Sequence, residues 1–219
     1  MLISHPHNFL FVHIAKTGGT SVRRALRPYR WSGRYAPALF FASMMSQMTC
    51  PRHRLGVKFP RHAKCIAAKE MIPAEVFDSM FKFVFVRNPW DLQVSSWHHI
   101  GREKPHVLEG VKTFPEFLRR KFDPERPYDY MLDISRELQS DYIVDLHGNT
   151  IVDFIGRYEN LQTDFDTACD RIGIPRIQLP HERRAVDRDD YRRYYDDESR
   201  ELVARHYAPD IERLGYTFD

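Results

Sequence analysis

Residues 11–21 read FVHIAKTGGTS, a lysine, two adjacent glycines and three hydroxyl side chains behind an apolar run. Glycine lets a backbone approach a bound group closely. A strand that turns into a helix start aims several N–H groups, and the positive end of the helix dipole, at one point. Lys16 adds a full positive charge there, and Thr17, Thr20 and Ser21 add hydroxyl donors around Gly18 and Gly19. The ligand such a set suits is a phosphate-like anion. The same residues also read as a tight turn with no ligand. The lysine precedes the glycines, which sets the loop apart from G-x-x-x-x-G-K-[ST], where it follows them.

A second set lies at FVFVRNPWDLQVSSW. Arg87 directly follows a β-rich run, at the point where a magnesium-holding Asp would stand in a nucleoside-triphosphate hydrolase. Ser95 and Ser96 come about two helical turns later. An arginine can pair two phosphate oxygens with its fork. Taken alone, Arg87 reads equally well as an ion-pair partner, and the serines as ordinary helix residues.

The elements that must carry these groups follow from periodicity. Residues 9–14 form a short β-rich run, after which Val22, Ala25 and Leu26 recur at helical spacing, so the first set sits between a strand and a helix. Residues 81–86, FKFVFV, suit a strand buried on both faces, and Trp90, Val94 and Trp97 mark one helix face after it. Helices are expected in ALFFASMMSQM, HAKCIAAKEMIP and AEVFDSMF. A turn and β-rich run are expected in LHGNTIVDFIGRYENL, with Arg157 and Glu159 on one strand face as a structural pair. Leu161, Phe165, Ala168 and Ile172 mark another helical stripe, and the tail from DDES onward repeats Leu202, Val203, His206 and Tyr207. Successive strand–loop–helix units predict an α/β fold, with parallel strands flanked by helices and sites at the strand C-termini.

The chain has 219 residues, enough for one sizeable core and short for two, so a single domain over 1–219 is expected. Within it, residues 101–135 are charged, proline-containing and weakly patterned, and read as a helical and loop excursion. A net charge of +3 is too slight to mark a nucleic-acid binder, so any anion site must be local. Cys50, Cys65 and Cys169 form no C-x-x-C pair and read as buried free thiols in a reducing compartment. FLFVHIA is too short, and too interrupted by His13, for a signal h-region or a membrane span, so a cytoplasmic protein is expected.

HIAKTGGTS resembles the 5′-phosphosulfate loop, and FVFVRNPWDLQVSSW the 3′-phosphate motif, of sulfotransferases that use 3′-phosphoadenosine 5′-phosphosulfate (PAPS). The pattern is most like that of the Golgi-type carbohydrate sulfotransferases and their bacterial relatives, which also have a histidine ahead of the second strand, as in RHAKCIAAKEMI, and segments like GRYENLQTDF and the tail. The resemblance runs from about residue 9 to the end and is thinnest in the middle region. It implies a three-layer, P-loop-like fold in which the excursion at 101–135 lies near the acceptor. Lys16, Thr17, Gly18, Gly19, Thr20 and Ser21 then surround the 5′-phosphosulfate, and Arg87 and Ser95 bind the 3′-phosphate. Arg184 closes over the nucleotide, or is part of a solvated basic loop. Ala15 stands where proline is common in the family, and Leu92 and Gln93 where an arginine is common.

The reaction implied is in-line transfer of a sulfuryl group from PAPS to a hydroxyl, with 3′,5′-adenosine bisphosphate (PAP) released and no metal required. The acceptor class it suggests is a saccharide or glycolipid. Lys16 would stabilise the departing phosphate oxygen. His62, with an ordinary pKa of about 6.5, would accept the proton. Glu70 is a weaker candidate base, and His98 and His99 read as acceptor-side groups or a solvated helix end. RPYRWSGRY reads either as an acceptor-binding loop or as an ordinary exposed one. Two other functions stay open at this point: a metal-dependent, kinase-like nucleotide phosphotransferase, and a noncatalytic module that binds a nucleotide or glycan.

Overall fold

The computed structural model describes residues 1–30, 41, 45, 59–180 and 189–219. Cys50, Arg183 and Arg184, and nearly all of ALFFASMMSQM, lie outside the described residues. The helices described are, in chain order, α1 (Gly19–Leu26), α2 (Cys65–Met71), α3 (Ala74–Ser79), α4 (Pro89–Glu103), α5 (Phe114–Phe122), α6 (Tyr130–Asp133), α7 (Leu161–Ile172), α8 (Asp197–His206) and α9 (Ala208–Leu214). The chain forms two compact units, one of Met1–Ile14, Gly18–Val86 and Tyr142–Glu182, the other of Ala15–Thr17, Arg87–Asp141 and Arg183–Asp219.

The first unit is an α/β layer structure. Its sheet, among the described residues, has the order β1 (Leu2–Ser4), β2 (Phe9–Val12), β3 (Phe81–Val86), β4 (Phe154–Arg157). β2 pairs with β3, and β3 with β4, in parallel, while β1 runs antiparallel to β2. The sheet is therefore mixed rather than wholly parallel. The link at 5–8 is too short for a crossover and can only reverse the chain, helped by Asn8 at φ 50°. Alternation then decides the faces. Phe9, Phe11, Phe83 and Phe85 pack with Val22 and Leu26 of α1 and Phe165 and Ala168 of α7. On the other face Lys82 is buried, its ammonium donating to the Met80 carbonyl at 2.7 Å and pairing with Asp153 at 3.0 Å over the Phe77 ring of α3. Cys65 and Cys169 are buried free thiols, as the sequence suggested, and burial pushes the Cys65 thiol up to about 12.

The second unit is helical. Asn88 caps α4 by accepting from the Trp90 N–H at 3.1 Å, and Pro89 occupies the first turn, where its missing N–H costs nothing. Trp90, Val94 and Ile100 of α4 share a core with Phe114, Phe117 and Leu118 of α5 and with Val203 and Tyr207. α5 starts in a capping box, Thr113 accepting from the Glu116 N–H while the Glu116 carboxylate accepts from the Thr113 N–H. The tail splits into α8 and α9 at Tyr207, with Pro209 opening the second and Gly215 closing it in a left-handed conformation.

Candidate active site

In the first unit the chain leaves β2 and re-enters regular structure at α1, whose cap is Gly18 at φ 78°. Ser21 and Val22 return their N–H groups to the Gly18 carbonyl, whereas the first N–H groups of a helix have no acceptor within it. No acidic residue stands in the first turn to occupy them. Neither glycine has room for a side chain. A Cβ at Gly18 would lie 2.6 Å from Leu161 Cδ2, and one at Gly19 would lie 2.1 Å from His13 Cδ2. His13 is thus pressed against the first turn of α1 and stacks on Phe11 on one side. On another side the His62 ring lies with its centroid 4.6 Å away.

His62 Nδ1 is 2.9 Å from the His13 carbonyl oxygen. A carbonyl only accepts, so Nδ1 carries the proton and Nε2 keeps its lone pair. Burial lowers the His62 pKa to about 4, and the hydrogen bond to His13 opposes that shift only in part. Between pH 5 and 8 the ring is therefore neutral and oriented. His62 precedes α2 and β3 in the chain, and Glu70 stands exposed on α2.

In the second unit Lys16 adopts φ 67°, a left-handed conformation uncommon for a residue with a Cβ, and Thr17 beside it is buried. The Lys16 carbonyl accepts from Arg87 Nη1 at 2.9 Å, which ties the two motifs together across 71 positions of sequence. Arg87 is itself buried and donates from Nε to Asp91 at 2.7 Å. Its backbone N–H and carbonyl both pair with the Gln139 amide at 2.8 Å, and the N–H groups of Gln139 and Ser140 are received by buried Asp210, also at 2.8 Å. Nε and one N–H of Nη1 are thus engaged within the protein. Arg87 is a strut of the Lys16 turn as well as a cation.

The two serines of α4 separate. Ser96 is buried and meets Ser135 Oγ at 2.8 Å, while Ser95 stays half-buried on the helix surface. Leu92 and Gln93, where the family often has an arginine, are buried and belong to the packing of α4 rather than to a peripheral contact. His98 faces the Tyr194 hydroxyl at 2.9 Å. β4 ends at Arg157, so Glu159 falls in the 3-10 turn that follows and not on a strand face with it.

Sequence reasoning passed over Lys121. Its ammonium is fully buried and donates to Gln93 Oε1 at 2.6 Å, to Ser135 Oγ at 2.9 Å and to the Ser135 carbonyl at 3.1 Å. Burial, and then Arg126, hold its pKa well below that of an ordinary lysine. His13 was passed over too, since a histidine inside an apolar run reads as an interruption. Among the described residues no group of three or more His, Cys, Asp or Glu side chains is arranged to hold a metal ion, and no helix is long and apolar enough to cross a membrane.

An uncharacterized protein of Archaeoglobus fulgidus is 27% identical over 119 residues, which is 49% of this chain and 79% of that protein. No solved structure matches the chain significantly. The family model described as "Sulfotransferase family" matches residues 1–217, taking in both FVHIAKTGGTS and FVFVRNPWDLQVSSW and the helical tail. The chain therefore belongs to the sulfotransferase family, whose reaction is sulfuryl transfer, generally with PAPS as the donor.

Proposed function

We propose that this enzyme moves the sulfuryl group of PAPS to a hydroxyl of a carbohydrate or glycoconjugate by in-line displacement at sulfur. Lys16, Thr17, Gly18, Gly19, Thr20 and Ser21 receive the 5′-phosphosulfate, and Arg87 and Ser95 the 3′-phosphate, with Arg184 a further nucleotide contact. The acceptor oxygen bonds to sulfur as the bond from sulfur to the phosphate oxygen breaks. The hydroxyl proton passes to His62 Nε2, and the electron pair stays on the departing phosphate of PAP, where Lys16 offsets the charge. The observation that carries this reading is the Arg87–Lys16 hydrogen bond at 2.9 Å, since it joins one residue that the resemblance assigns to the 5′-phosphosulfate to one that it assigns to the 3′-phosphate.

The carbohydrate class of acceptor rests on the resemblance to the Golgi-type enzymes. Support for residues 101–135 as acceptor-side surface comes from Tyr128 and Tyr130, exposed rings of a kind that stacks on sugars. The free buried thiols fit a reducing, cytoplasmic setting. The test is transfer from radiolabelled PAPS across saccharide, glycolipid and small-alcohol acceptors, with and without EDTA. Lys16→Ala is expected to lower transfer about 10²-fold or more. Arg87→Ala should act mainly by weakening PAP binding, read by calorimetry. Kinetics like those of the wild type in both variants would reject the assignment, and ATP-dependent phosphorylation abolished by EDTA would replace it with the kinase-like reading.

A further inference from the structure

His13 has a buried imidazole with no role in the reading above. Only 3% of the residue is exposed. Its Nδ1 is enclosed and has no hydrogen-bond partner among the described residues. The opposite edge of the ring is what lies against the first turn of α1: a Cβ at Gly19 would meet Cδ2 at 2.1 Å and Nε2 at 2.3 Å. A buried imidazole with one orphan nitrogen costs free energy that packing alone gives no reason to spend. The cost is least when the orphan nitrogen is the one without the proton, because Nε2 then carries its N–H to the loop edge, where a ligand can accept it. Burial holds the ring neutral, helped by His62, the N-terminal amine, Arg61 and Arg23, so it acts as a donor without becoming a cation.

We propose that His13 is a neutral Nε2–H donor to an anionic oxygen of the sulfuryl donor at the first turn of α1, while its own carbonyl sets His62 beside it in the opposite, proton-accepting tautomer. One residue thereby supplies a ligand from its side chain and a positioning contact from its backbone. The 4.6 Å ring separation puts donor and acceptor imidazoles side by side. Gly19 is what permits the arrangement, since any larger residue would displace the ring. The proposal rests on the reading of residues 16–21 as the phosphosulfate cradle.

Two measurements test it. In the full-length protein carrying ¹⁵N-histidine, long-range ¹H–¹⁵N correlation spectra should show His13 protonated on Nε2 and His62 on Nδ1, and added PAP or inorganic sulfate should shift the His13 Nε2–H resonance. In kinetics with PAPS, His13→Phe should lower kcat/KM about 10²-fold, as loss of one oxyanion donor does. His13→Gln, whose amide can place an N–H near the Nε2 position, should recover most of that loss. A merely structural histidine would let neither the ligand-dependent shift nor the selective rescue occur. His13 protonated on Nδ1, or an Nε2–H resonance unmoved while the wild-type protein binds PAP, overturns the proposal even if His13→Phe fails to fold. Wild-type protein that neither binds PAP nor transfers sulfate overturns the cradle reading, and this proposal with it.

Discussion

At the scale of single residues, the tautomer of His62 decides what the proposed base can do. With Nδ1–H given to the His13 carbonyl, the only basic atom left is Nε2, and burial lowers its affinity for a proton until it titrates at about 4. A base at the ordinary histidine value would make the rate fall below about pH 6.5. Here the acid limb of kcat/KM is expected to be displaced towards pH 4, leaving the profile flat through the neutral range. His62→Ala should reduce kcat about 10²- to 10⁴-fold while leaving PAP affinity nearly intact, because in the proposed role the ring takes the hydroxyl proton and contacts no nucleotide phosphate. A limb centred at 6.5 in the wild type, or unchanged turnover in the variant, would assign the proton transfer to another group.

At the scale of elements, the strand–loop–helix unit shows what was legible and what was not. The turn at 13–21 could be read because glycines, an apolar strand run and helical spacing are local signals that survive without packing. α4 could be read for the same reason, from Trp90, Val94 and Trp97 at helical spacing after a β-rich run. The capping box at Thr113 and Glu116 was equally present in the sequence, in a stretch whose charge hid it. Lys121 could not be found that way. In FLRRKF it looks like the third member of a solvated basic run, and only the packing of α5 against α4 turns it inward. His13 is hidden similarly, since its meaning depends on Gly19 and His62, one in a turn and one 49 positions away. The same packing makes the glycines testable. Gly19→Ala must move the His13 ring, with an expected loss of about 1–3 kcal/mol of stability, as for other overpacked sites. Gly18→Ala adds left-handed strain of about 1–2 kcal/mol to a clash with Leu161. Denaturant unfolding measures both, and Gly19→Ala should also lower turnover beyond its effect on the folded fraction. Alanine accepted at both positions without loss would mean that the loop is looser than its contacts imply.

Across the whole molecule, the buried basic groups bias stability in one direction. His13, His62 and His206 all have pKa values lowered first by burial, and Lys121 is lowered in the same way. For each, the unfolded chain binds a proton at a pH where the folded chain resists it. Stability rises with pH wherever the unfolded state holds more protons. The histidine contributions are therefore fully present above about pH 6.5 and are lost as the pH falls towards 4, the value at which folded His62 accepts its proton. Paired carboxylates such as Asp133, held low by Arg126 against the opposing effect of burial, lose their contribution only at still lower pH, so they extend the decline and do not cancel it. Lys121 acts higher, between its lowered value and about 10.5, and shifts the optimum to the alkaline side. The expected result is a melting temperature that drops by several degrees between pH 6.5 and pH 4 and does not drop on moving from pH 7 to pH 8.5. His62→Phe should flatten the acid limb, because a residue that cannot bind a proton contributes nothing to the difference. A melting temperature that climbs as the pH is lowered through 6.5 would mean that these imidazoles gain charge on folding, and the neutral, oriented base would have to be given up with them.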